Sequence, residues 1–446
     1  MSTAGRVVVV GGGPSGVAAA LDAARNGGRV TLLERHSFVG GNMTIGLCMH
    51  TFHNKHGDRI IEGIPAEFVR EMQKAGGSAG PVAIRNAHMY STTPVDVEMV
   101  KLIALRMLVE AGVDVRFQST VIGARVRGDV VEAIEVATKH GVECIPGDVF
   151  VDATGDGDLA AAAGVPFELG RPGDGKVQPA SMVFTVENVD LPRALRRAGK
   201  GVAEAVTPYS EGRSIPVWFS LTTTPWNAVI EDKGYFLGKD REWWGNSVRP
   251  GIFNINASRV ALLDATDPAQ YSAAVQEGMR QVDQMLDFLT HHVDGFEAAR
   301  LVRIAPFLGV RDSRRVHGEY VLSEEDVLSA TLFPDRVALA GYPVDIHDVN
   351  AGTGITFKGI GRTGTYSIPY RCLIARSRGN LLLAGRCMST THGAHAGTRV
   401  MVTSMAVGEA AGVAAGLAAA GGTPLRRIET PGLQERLRGQ GAKLDP

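Results

Sequence analysis

The chain opens with apolar runs separated by glycine-rich turns. Arg6 to Val10 forms a short apolar run, as expected for a strand covered on both faces in a parallel sheet. Ser15 to Asn26 has the pattern of a helix that ends at Gly27 and Gly28, and Arg29 to Glu34 follows as a second apolar run. This order predicts a strand–helix–strand unit at the start of an α/β fold.

Between residues 95 and 153, the spacing of apolar residues predicts one helix and several strands. Val95 to Ala111 predicts a helix, and Val113 to Phe117 predicts a strand after it. Val121 to Val126 and Val130 to Ala137 predict a hairpin, and Val149 to Ala153 predicts a further buried strand.

The composition changes between Val165 and Asp345. All four tryptophans lie in this region, together with strand-like pieces flanked by proline and an amphipathic helix over Tyr271 to Leu289. The apolar, glycine-ended pattern returns at Asn380 to Gly385, before a final long helix. We therefore expect a discontinuous first domain, residues 1–164 and 346–446, with an inserted domain at residues 165–345.

Composition and charge exclude several functional classes. The chain has 446 residues, 44% of them hydrophobic and 21% charged, with a formal net charge of −1. Such a balance gives no general attraction to nucleic acid or to an anionic membrane. The four cysteines are isolated, which suits a reducing cytoplasm. A first strand at Arg6 leaves no room for a leader, and the apolar stretch Val400 to Ala420 contains Glu409, so we predict a cytoplasmic protein without a membrane span.

A dinucleotide motif follows the first strand. Gly11, Gly13 and Gly16 satisfy G-x-G-x-x-G, which permits a tight turn, close approach to a pyrophosphate and close packing of helix on strand. Glu34 ends the second strand 21 residues beyond Gly13, where a carboxylate accepts hydrogen bonds from ribose hydroxyls. A second match, from Gly359 to Gly364, precedes a strand-like run, so we expect one nucleotide fold and no separate NAD(P)H domain.

Three further segments favour FAD over NAD. They are the turn Gly40 to Asn42, the strand and glycine–acid turn Asp152 to Gly157, and the strand Leu381 to Arg386. An NAD enzyme needs none of them, whereas a longer cofactor needs further points of close backbone approach.

These segments resemble the family of FAD-dependent oxidoreductases, a branch of the fumarate reductase and succinate dehydrogenase flavoprotein superfamily. The resemblance rests on GGGPSG with Glu34 and Arg35, VDATGDGD at 151–158, GVRDSRR at 309–315, NLLLAGRCMS at 380–389 and GEAAGVAA at 408–415, and it extends over nearly the whole chain. It implies an FAD cofactor and an α/β fold: a Rossmann-type FAD-binding domain with a glutathione-reductase-like βββ meander, and an inserted α+β substrate domain.

The resemblance also implies roles for individual residues. Glu34 would hold the adenosine ribose, the glycine loop the pyrophosphate, the Val121 backbone the adenine edge, and Arg386 the ribityl–phosphate end. The predicted cofactor-binding residues are Gly11, Gly13, Pro14, Ser15, Gly16, Glu34, Arg35, Gly41, Asn42, Val121, Gly155, Asp156, Gly385, Arg386, Thr398 and Val400. The sequence has neither the His-Pro-Thr segment of fumarate reductases nor the thiol pair of disulfide reductases, which puts both of those chemistries in doubt.

Candidate catalytic residues lie around the start of the last long helix. His392, His395 and Arg399 precede that helix, and His347 lies where the chain returns from the inserted region. A histidine removes or returns a proton near neutral pH, and Arg399 either binds an anionic substrate or holds the flavin. The alternative for each histidine is a helix cap or a hydrogen-bonded turn. His50, His53 and His56 have metal-like spacing but no matching acidic or cysteine ligands, so no metal is predicted.

Three functions compete at this level. The first is an FAD-dependent oxidoreductase that moves hydride between a small organic substrate and flavin N5, with a histidine as proton donor or acceptor. The second is a flavin monooxygenase that uses O2 and an external reductant, and the third is a flavoprotein with a non-redox or RNA-modifying role. The absence of a basic tract counts against RNA. The sequence leaves open the substrate, the electron acceptor, any covalent flavin link and the subunit number, with a homo-oligomer among the alternatives.

Overall fold

The computed structural model describes residues 5–84, 89–198, 203–208, 214–235, 242–262, 264–348 and 354–446. Its strands, in chain order, are β1 (Arg6–Val10), β2 (Arg29–Leu33), β3 (Met49–His50), β4 (Val82–Ala83), β5 (Ser91–Thr93), β6 (Asp114–Arg116), β7 (Thr120–Arg127), β8 (Val130–Thr138), β9 (Gly141–Pro146), β10 (Val149–Asp152), β11 (Phe167–Leu169), β12 (Phe184–Glu187), β13 (Ala203–Pro208), β14 (Ser214–Thr222), β15 (Glu242–Arg249), β16 (Ile252–Asn256), β17 (Arg300–Ile304), β18 (Arg314–Val316), β19 (Arg336–Ala340), β20 (Val344–His347), β21 (Ile355–Lys358), β22 (Tyr366–Pro369) and β23 (Leu381–Leu383).

The α-helices follow the same numbering. They are α1 (Pro14–Arg25), α2 (Ile64–Lys74), α3 (Val97–Glu110), α4 (Asp158–Ala162), α5 (Leu191–Ala198), α6 (Asn227–Lys233), α7 (Pro268–His292), α8 (Glu324–Leu328), α9 (His392–Thr398), α10 (Met401–Gly421) and α11 (Thr430–Gly439). Short 3-10 turns occur at Gly41–Thr44, Thr224–Trp226, Tyr370–Cys372, Gly385–Cys387 and Leu425–Arg427.

A parallel sheet of five strands, in the order β23-β10-β1-β2-β6, organises the N-terminal part of the fold. Val7 to Val10 of β1 are buried, because β2 and β10 pair with this strand and packed elements cover the sheet. Strand β23 comes from near the end of the chain and pairs with β10. The sheet therefore joins N-terminal and C-terminal segments, and the fold is α/β.

Helices α1 and α10 contribute to the largest apolar cluster together with residues of this sheet. Proline begins α1 at a position whose N–H has no partner inside a helix, so its missing donor costs nothing there. Helix α10 is the one helix of the described residues that is long and apolar enough to cross a membrane by length and composition. Within the protein, 94% of its most apolar window is buried, which makes it a core helix.

Two antiparallel sheets complete the framework. Strands β7, β8 and β9 form a three-stranded sheet in which Val121 pairs with Val136, as expected for the hairpin read from the sequence. Strands β13-β14-β15-β16-β12-β17 form a six-stranded sheet, and α7 shares an apolar cluster with it through Val282, Met285 and Phe288. Smaller sheets are β3-β5-β4, β11-β18, β19-β22 and β20-β21.

Helix α7 is longer than its apolar pattern suggests. The pattern predicts Tyr271 to Leu289, whereas the helix runs from Pro268 to His292. Asp267 caps it, since the side chain accepts hydrogen bonds from the backbone N–H groups of Ala269 and Gln270. The capped end of α7 lies against the cavity described next.

Candidate functional site

A cavity of about 510 Å³ opens at the carboxyl ends of β1, β2 and β10. This volume is within the range of pockets that hold organic ligands, and the ends of parallel strands are where such folds bind them. The lining comprises Val10, Gly11, Gly13, Pro14, Ser15, Leu33, Glu34, Arg35, His36, Gly41, Asn42, Ser119, Thr120, Val121, Ala153, Thr154, Gly155, Asp156, Asp158, Ala265, Thr266, Pro268, Tyr271, Ser272, Phe307, Leu308, Val310, Arg386, Arg399, Met401 and Ser404.

The loop between β1 and α1 forms the floor of this cavity. Gly11 has a φ of 96°, and a Cβ there would lie 2.5 Å from the carbonyl oxygen of Ala153. A Cβ at Gly16 would lie 1.7 Å from the carbonyl oxygen of Gly11, so Gly16 permits the helix to pack on the loop. Gly13 differs, since a Cβ there would meet no atom within 4 Å and it lines open space at the N-terminus of α1. Unpaired N–H groups at this helix end favour an anion such as a phosphate.

Glu34 holds the turn after β2 and lines the cavity. Its Oε2 accepts a hydrogen bond of 2.7 Å from the backbone N–H of Gly12, and its Oε1 accepts one of 2.8 Å from that of His36. Burial raises the pKa of Glu34, and the two backbone donors oppose that effect. The carboxylate thus ties the glycine loop to the second strand at the place where a ribose hydroxyl would donate to it.

An ion pair lies on another wall of the cavity. Arg386 Nη2 lies 2.6 Å from Asp156 Oδ1, and Arg386 Nη1 donates to Ser313 Oγ at 2.6 Å. Burial opposes ionisation of Asp156, but Arg386 and the Ser313 hydroxyl outweigh it, so the pKa of this carboxyl is lowered. Asp156 is therefore an ionised acceptor beside Gly155, suited to a sugar-alcohol hydroxyl.

The residues of this cavity fit a flavin dinucleotide. Gly13 leaves space at a helix N-terminus for phosphate, Glu34 offers an acceptor for ribose, and the first turn of α10 supplies Met401 and Ser404 at another part of the lining. Strand β22 follows Gly359–Gly364, so that second glycine match opens no helix of the same kind.

His392 and His395 gather around the buried carboxylate of Asp312. His392 Nδ1 lies 3.2 Å from Asp312 Oδ2, and His395 Nε2 lies 3.7 Å from Asp312 Oδ1 and 3.0 Å from the carbonyl oxygen of Arg311. Burial lowers the pKa of His395 to about 3. Neither histidine is among the residues that line the cavity.

Arg399 connects the cavity to a second buried polar group. Its Nη2 lies 3.1 Å from the carbonyl oxygen of Asp345 and 3.6 Å from Asp345 Oδ2, while Tyr342 donates to the same carboxylate oxygen at 2.9 Å. His347 Nε2 lies 3.4 Å from Asp345 Oδ2, and burial lowers the pKa of His347 to about 3. Arg399, Asp345, Tyr342 and His347 therefore form one cluster, called here the Arg399 cluster, in which Arg399 lines the cavity and His347 lies behind it, outside the lining.

Arg311 borders this cluster without a carboxylate among the contacts recorded for its side chain. Its guanidinium donates to the carbonyl oxygen of Pro179 at 2.6 Å and to Ser181 Oγ at 2.9 Å. Burial, and after it the charge of Arg399, lowers the pKa of Arg311 to about 9. Arg314 and Arg315, by contrast, pair with Asp158 and Asp312.

A comparison with known protein families identifies the family of this chain. A family model described as FAD dependent oxidoreductase matches residues 6–437. The chain belongs to the family of FAD-dependent oxidoreductases. Its cofactor is FAD, as the glycine loop and Glu34 indicate. No curated protein matches the chain in a sequence comparison.

Solved structures resemble this oxidoreductase only distantly. A geranylgeranyl bacteriochlorophyll reductase-like protein from Thermoplasma acidophilum is 12% identical, with a TM-score of 0.49, over 98% of this chain and 84% of its own. A p-nitrophenol 4-monooxygenase from Pseudomonas putida DLL-E4 is 13% identical, with a TM-score of 0.49 and the same coverage. A flavin-dependent halogenase is 14% identical, with a TM-score of 0.49, over 99% of this chain and 62% of its own. These likenesses are too weak to choose among reactions.

Most predicted cofactor residues of this oxidoreductase come together in the cavity lining. The exceptions are Gly16, Gly385, Thr398 and Val400. Gly385 lies under the glycine loop, where a Cβ would meet Ser15 Oγ at 2.4 Å. Thr398 Oγ1 donates to the carbonyl oxygen of Ala394 at 3.2 Å, and Val400 is the residue before α10.

Several lining residues escaped the sequence analysis. They include Tyr271, Ser272, Phe307, Leu308 and Val310. They carry no motif, and only the folded chain brings them to β1 and β2. An aromatic residue beside a strand end, such as Phe307 after β17, is too common a signal to have identified them.

Proposed function

We propose that this FAD-dependent oxidoreductase transfers hydride between a small organic substrate and N5 of the flavin, with a histidine handling the accompanying proton. The observation that carries the proposal is the Arg399 cluster, because Arg399 lines the cofactor cavity and contacts the buried Asp345 behind it. When bound, FAD supplies the hydride acceptor or donor. The protein's own residues must bind the substrate, orient it and move the proton.

The same proposal gives the chain two domains. Residues 1–164 and 346–446 form the FAD-binding domain, in which β7–β9 correspond to a glutathione-reductase-like meander. Residues 165–345 form the inserted α+β substrate domain. Cavity-lining residues from both ranges, such as Glu34 and Phe307, support this division, because substrates enter crevices between domains.

Within the cavity, the cofactor residues take the roles that their contacts favour. Gly11, Gly13 and Ser15 face the pyrophosphate, Glu34 the ribose, and Asp156 a ribityl hydroxyl. The support is the open space at Gly13 and the ionised state of Asp156.

The substrate we propose is a small organic anion. Arg311 and Arg399 place two guanidinium groups beside one carboxylate, that of Asp345. The Nε of Arg399, the Oδ1 of Asp345 and the Nε2 of Gln178 are buried atoms without a hydrogen-bond partner among the described residues. Buried polar groups without partners are costly, and a carboxylate ligand would accept hydrogen bonds from the two unpartnered donors, Arg399 Nε and Gln178 Nε2.

His347 is the histidine we assign to the proton. Burial is the largest cause that lowers the pKa of His347, and the charge of Arg311 is the second largest. An anion bound to Arg311 would offset that charge and raise the pKa of His347 toward the range useful for proton transfer. His347 then takes the proton that the substrate hydroxyl or amine releases when hydride leaves its carbon. His392 and His395, held by Asp312, are the second choice.

Experiments can distinguish the competing functions from hydride transfer. A monooxygenase would consume O2 in the presence of NADPH and substrate, and a non-redox or RNA-modifying protein would show neither reaction. We also propose that the protein is cytoplasmic and self-associates into a homo-oligomer. The proposal leaves the electron acceptor open. The net charge of −1 argues against nucleic acid as a partner.

Anaerobic flavin bleaching tests the proposal. Candidate alcohols, amines and their carboxylate-bearing analogues are mixed with the FAD-loaded protein in a stopped-flow instrument, and loss of flavin absorbance is followed. We expect bleaching by an anionic member of the panel and not by its neutral ester or amide. Bleaching by the neutral compounds alone would contradict the anionic substrate, and O2 uptake with NADPH would favour the monooxygenase.

Variants separate the roles of the charged residues. His347→Gln should slow flavin reduction about 100-fold or more while FAD content stays normal. Arg311→Lys should raise the substrate concentration needed for half-maximal rate more than it lowers the limiting rate. His291→Ala is the control, because that side chain is 67% exposed at the end of α7. Normal reduction rates in His347→Gln would remove His347 from the mechanism.

A further inference from the structure

Three aromatic rings stand together at one end of the cofactor cavity. The centroids of His36 and Phe307 are 5.0 Å apart with planes 13° from parallel, and those of His36 and Phe38 are 5.4 Å apart at 10°. Phe38 and Phe307 are 6.4 Å apart at 7°. His36 and Phe307 both line the cavity, whereas Lys101 Nζ lies 4.8 Å from the centroid of Phe38. The rings thus offer parallel aromatic surface to a flat ligand.

This aromatic group lies at the Glu34 end of the cavity. His36 is two residues beyond Glu34, and its backbone N–H donates to Glu34 Oε1. Ser119 and Gln118 approach from the segment before Val121, because their backbone N–H groups donate to the carbonyl oxygens of Glu34 and His36. If Glu34 holds the adenosine ribose, the base attached to that ribose lies beside His36.

The chemical state of His36 suits stacking on a base. Burial lowers the pKa of His36 to about 4, so the imidazole is neutral at physiological pH. A neutral aromatic ring stacks on a nucleobase by its face and gains dispersion without desolvating a charge. Phe307 is only partly buried, as expected for a ring that faces an open cavity.

Phe307 belongs to a wall that is fixed to α7. The backbone N–H of Leu308 donates to the hydroxyl of Tyr271 at 3.3 Å, and both residues line the cavity. Asp267 caps the same end of α7, next to the lining residues Thr266 and Pro268. The segment that carries Phe307 and the start of α7 therefore form one surface across the cavity from the β1–α1 loop.

We infer that the stacked rings of His36 and Phe307, too close to admit a base between them, form one aromatic platform for the adenine ring of FAD, so that the wall of residues 264–272 and 305–310 contacts the adenosine half of the cofactor. The inference rests on the placement of FAD in this cavity given under the proposed function, but not on hydride transfer. It makes Phe307 a residue that determines preference for the dinucleotide over FMN, which has no adenine.

Equilibrium titration of the apoprotein with FAD and with FMN tests the aromatic platform, with flavin fluorescence as the readout. Phe307→Ala should weaken FAD binding about 10- to 100-fold, the usual effect of losing one base-stacking ring, and leave FMN binding within twofold. Phe307→Trp should restore FAD affinity. Val302→Ala is the matched control, because Val302 lies on β17, is 51% exposed and is not in the lining.

A second measurement on the wild-type protein covers the case in which Phe307→Ala does not fold. Hydrogen–deuterium exchange with ADP as the probe should protect segments 36–38, 264–272 and 305–310, and FMN should leave segment 305–310 unprotected. FAD binding that is unchanged in folded Phe307→Ala, or ADP binding without protection of 305–310, overturns the aromatic platform while the FAD site stands. A wild-type protein that binds neither FAD nor ADP would overturn both the platform and the proposed function.

Discussion

At the scale of single residues, Asp312 organises the buried polar interior beside the cavity. It contacts Arg315 at 3.1 Å, His392 at 3.2 Å and His395 at 3.7 Å, and its own side chain is fully buried. Burial opposes ionisation, but the hydrogen bond with His392 and the charge of Arg315 outweigh it and keep the pKa of Asp312 below its usual range. Arg315 also donates to the carbonyl oxygen of Gly170, which ties this group to the segment before β12.

Replacing this carboxylate should be costly for stability. Asp312→Ala removes the buried carboxylate partner of Arg315 and leaves this guanidinium only the more distant and half-exposed Glu168, so we expect the free energy of unfolding to fall by about 3–5 kcal/mol. Asp174→Ala is the control, because its ion pair with Arg171 is 35% exposed on both sides and should contribute far less to stability. Urea unfolding followed by circular dichroism measures both. Equal losses in the two variants would show that Asp312 is not the structural centre described here.

At the scale of elements, the contact between α1 and α10 depends on glycines of α10, which carry no side chain. A Cβ at Gly408 would lie 2.1 Å from the carbonyl oxygen of Ser15, and a Cβ at Gly412 would lie 2.3 Å from that of Ala19. The two helices therefore approach at the distance of backbone contact. Since α1 begins at the glycine loop and α10 begins with Met401, their spacing sets the relation between the two ends of the cofactor cavity.

Alanine at the helix crossing should destabilise the protein although alanine favours helices. Gly412→Ala must push α1 away, and we expect a loss of about 1–3 kcal/mol together with weaker FAD retention. Gly439→Ala in α11 meets no atom within 4 Å, so it should be neutral or stabilise by up to about 1 kcal/mol. Thermal melting with and without FAD makes the comparison. A melting temperature for Gly412→Ala at or above that of wild type would contradict the close contact.

The same pair of helices carries a pH-dependent element. Both carboxylate oxygens of Asp22 in α1 are buried and have no hydrogen-bond partner in the part of the chain that the structure describes, and burial raises the pKa of Asp22 to about 7. Burial and the charge of Asp22 raise the pKa of Glu409 in α10 as well, although Glu409 accepts a hydrogen bond from the backbone N–H of Ile64. The folded protein therefore holds protons that the unfolded chain releases.

Stability should accordingly fall as the pH rises. The pKa of Asp22 is near 4 in an unfolded chain and about 7 in the fold, so stability is lost between these values and the loss is complete above pH 7. Asp22→Asn should gain about 3 kcal/mol over wild type at pH 8 compared with pH 5. Asp174→Asn should show no such gain, because the pKa of Asp174 is lowered to about 2. If wild type and Asp22→Asn differ in stability by the same amount at pH 5 and at pH 8, the proposed buried protons are refuted.

At the scale of the whole molecule, the sequence predicts features that depend on neighbouring residues in the chain, and it does not predict features that depend on long-range packing. Gly11, Gly13 and Glu34 were identifiable because strand, turn, helix and acid follow one another within one strand–helix–strand unit. Phe307 and Tyr271 were not, since their part in the cavity depends on packing that carries no local signal. His392 and His395 were found as chemically capable side chains, but their contact with Asp312 arises only when α9 packs against the segment before β18.

The central claim is that the cavity beyond β1 and β2 holds FAD, and the flavin content of the purified protein tests it most directly. Heat extraction and chromatography should release FAD, not FMN, at close to one molecule per chain. Glu34→Ala should bind FAD about 10- to 100-fold less tightly, because the variant loses both the charged acceptor for the ribose and the hydrogen bonds that hold the glycine loop. A colourless wild-type protein that takes up no added FAD, or a Glu34→Ala variant with undiminished FAD affinity, would contradict the account.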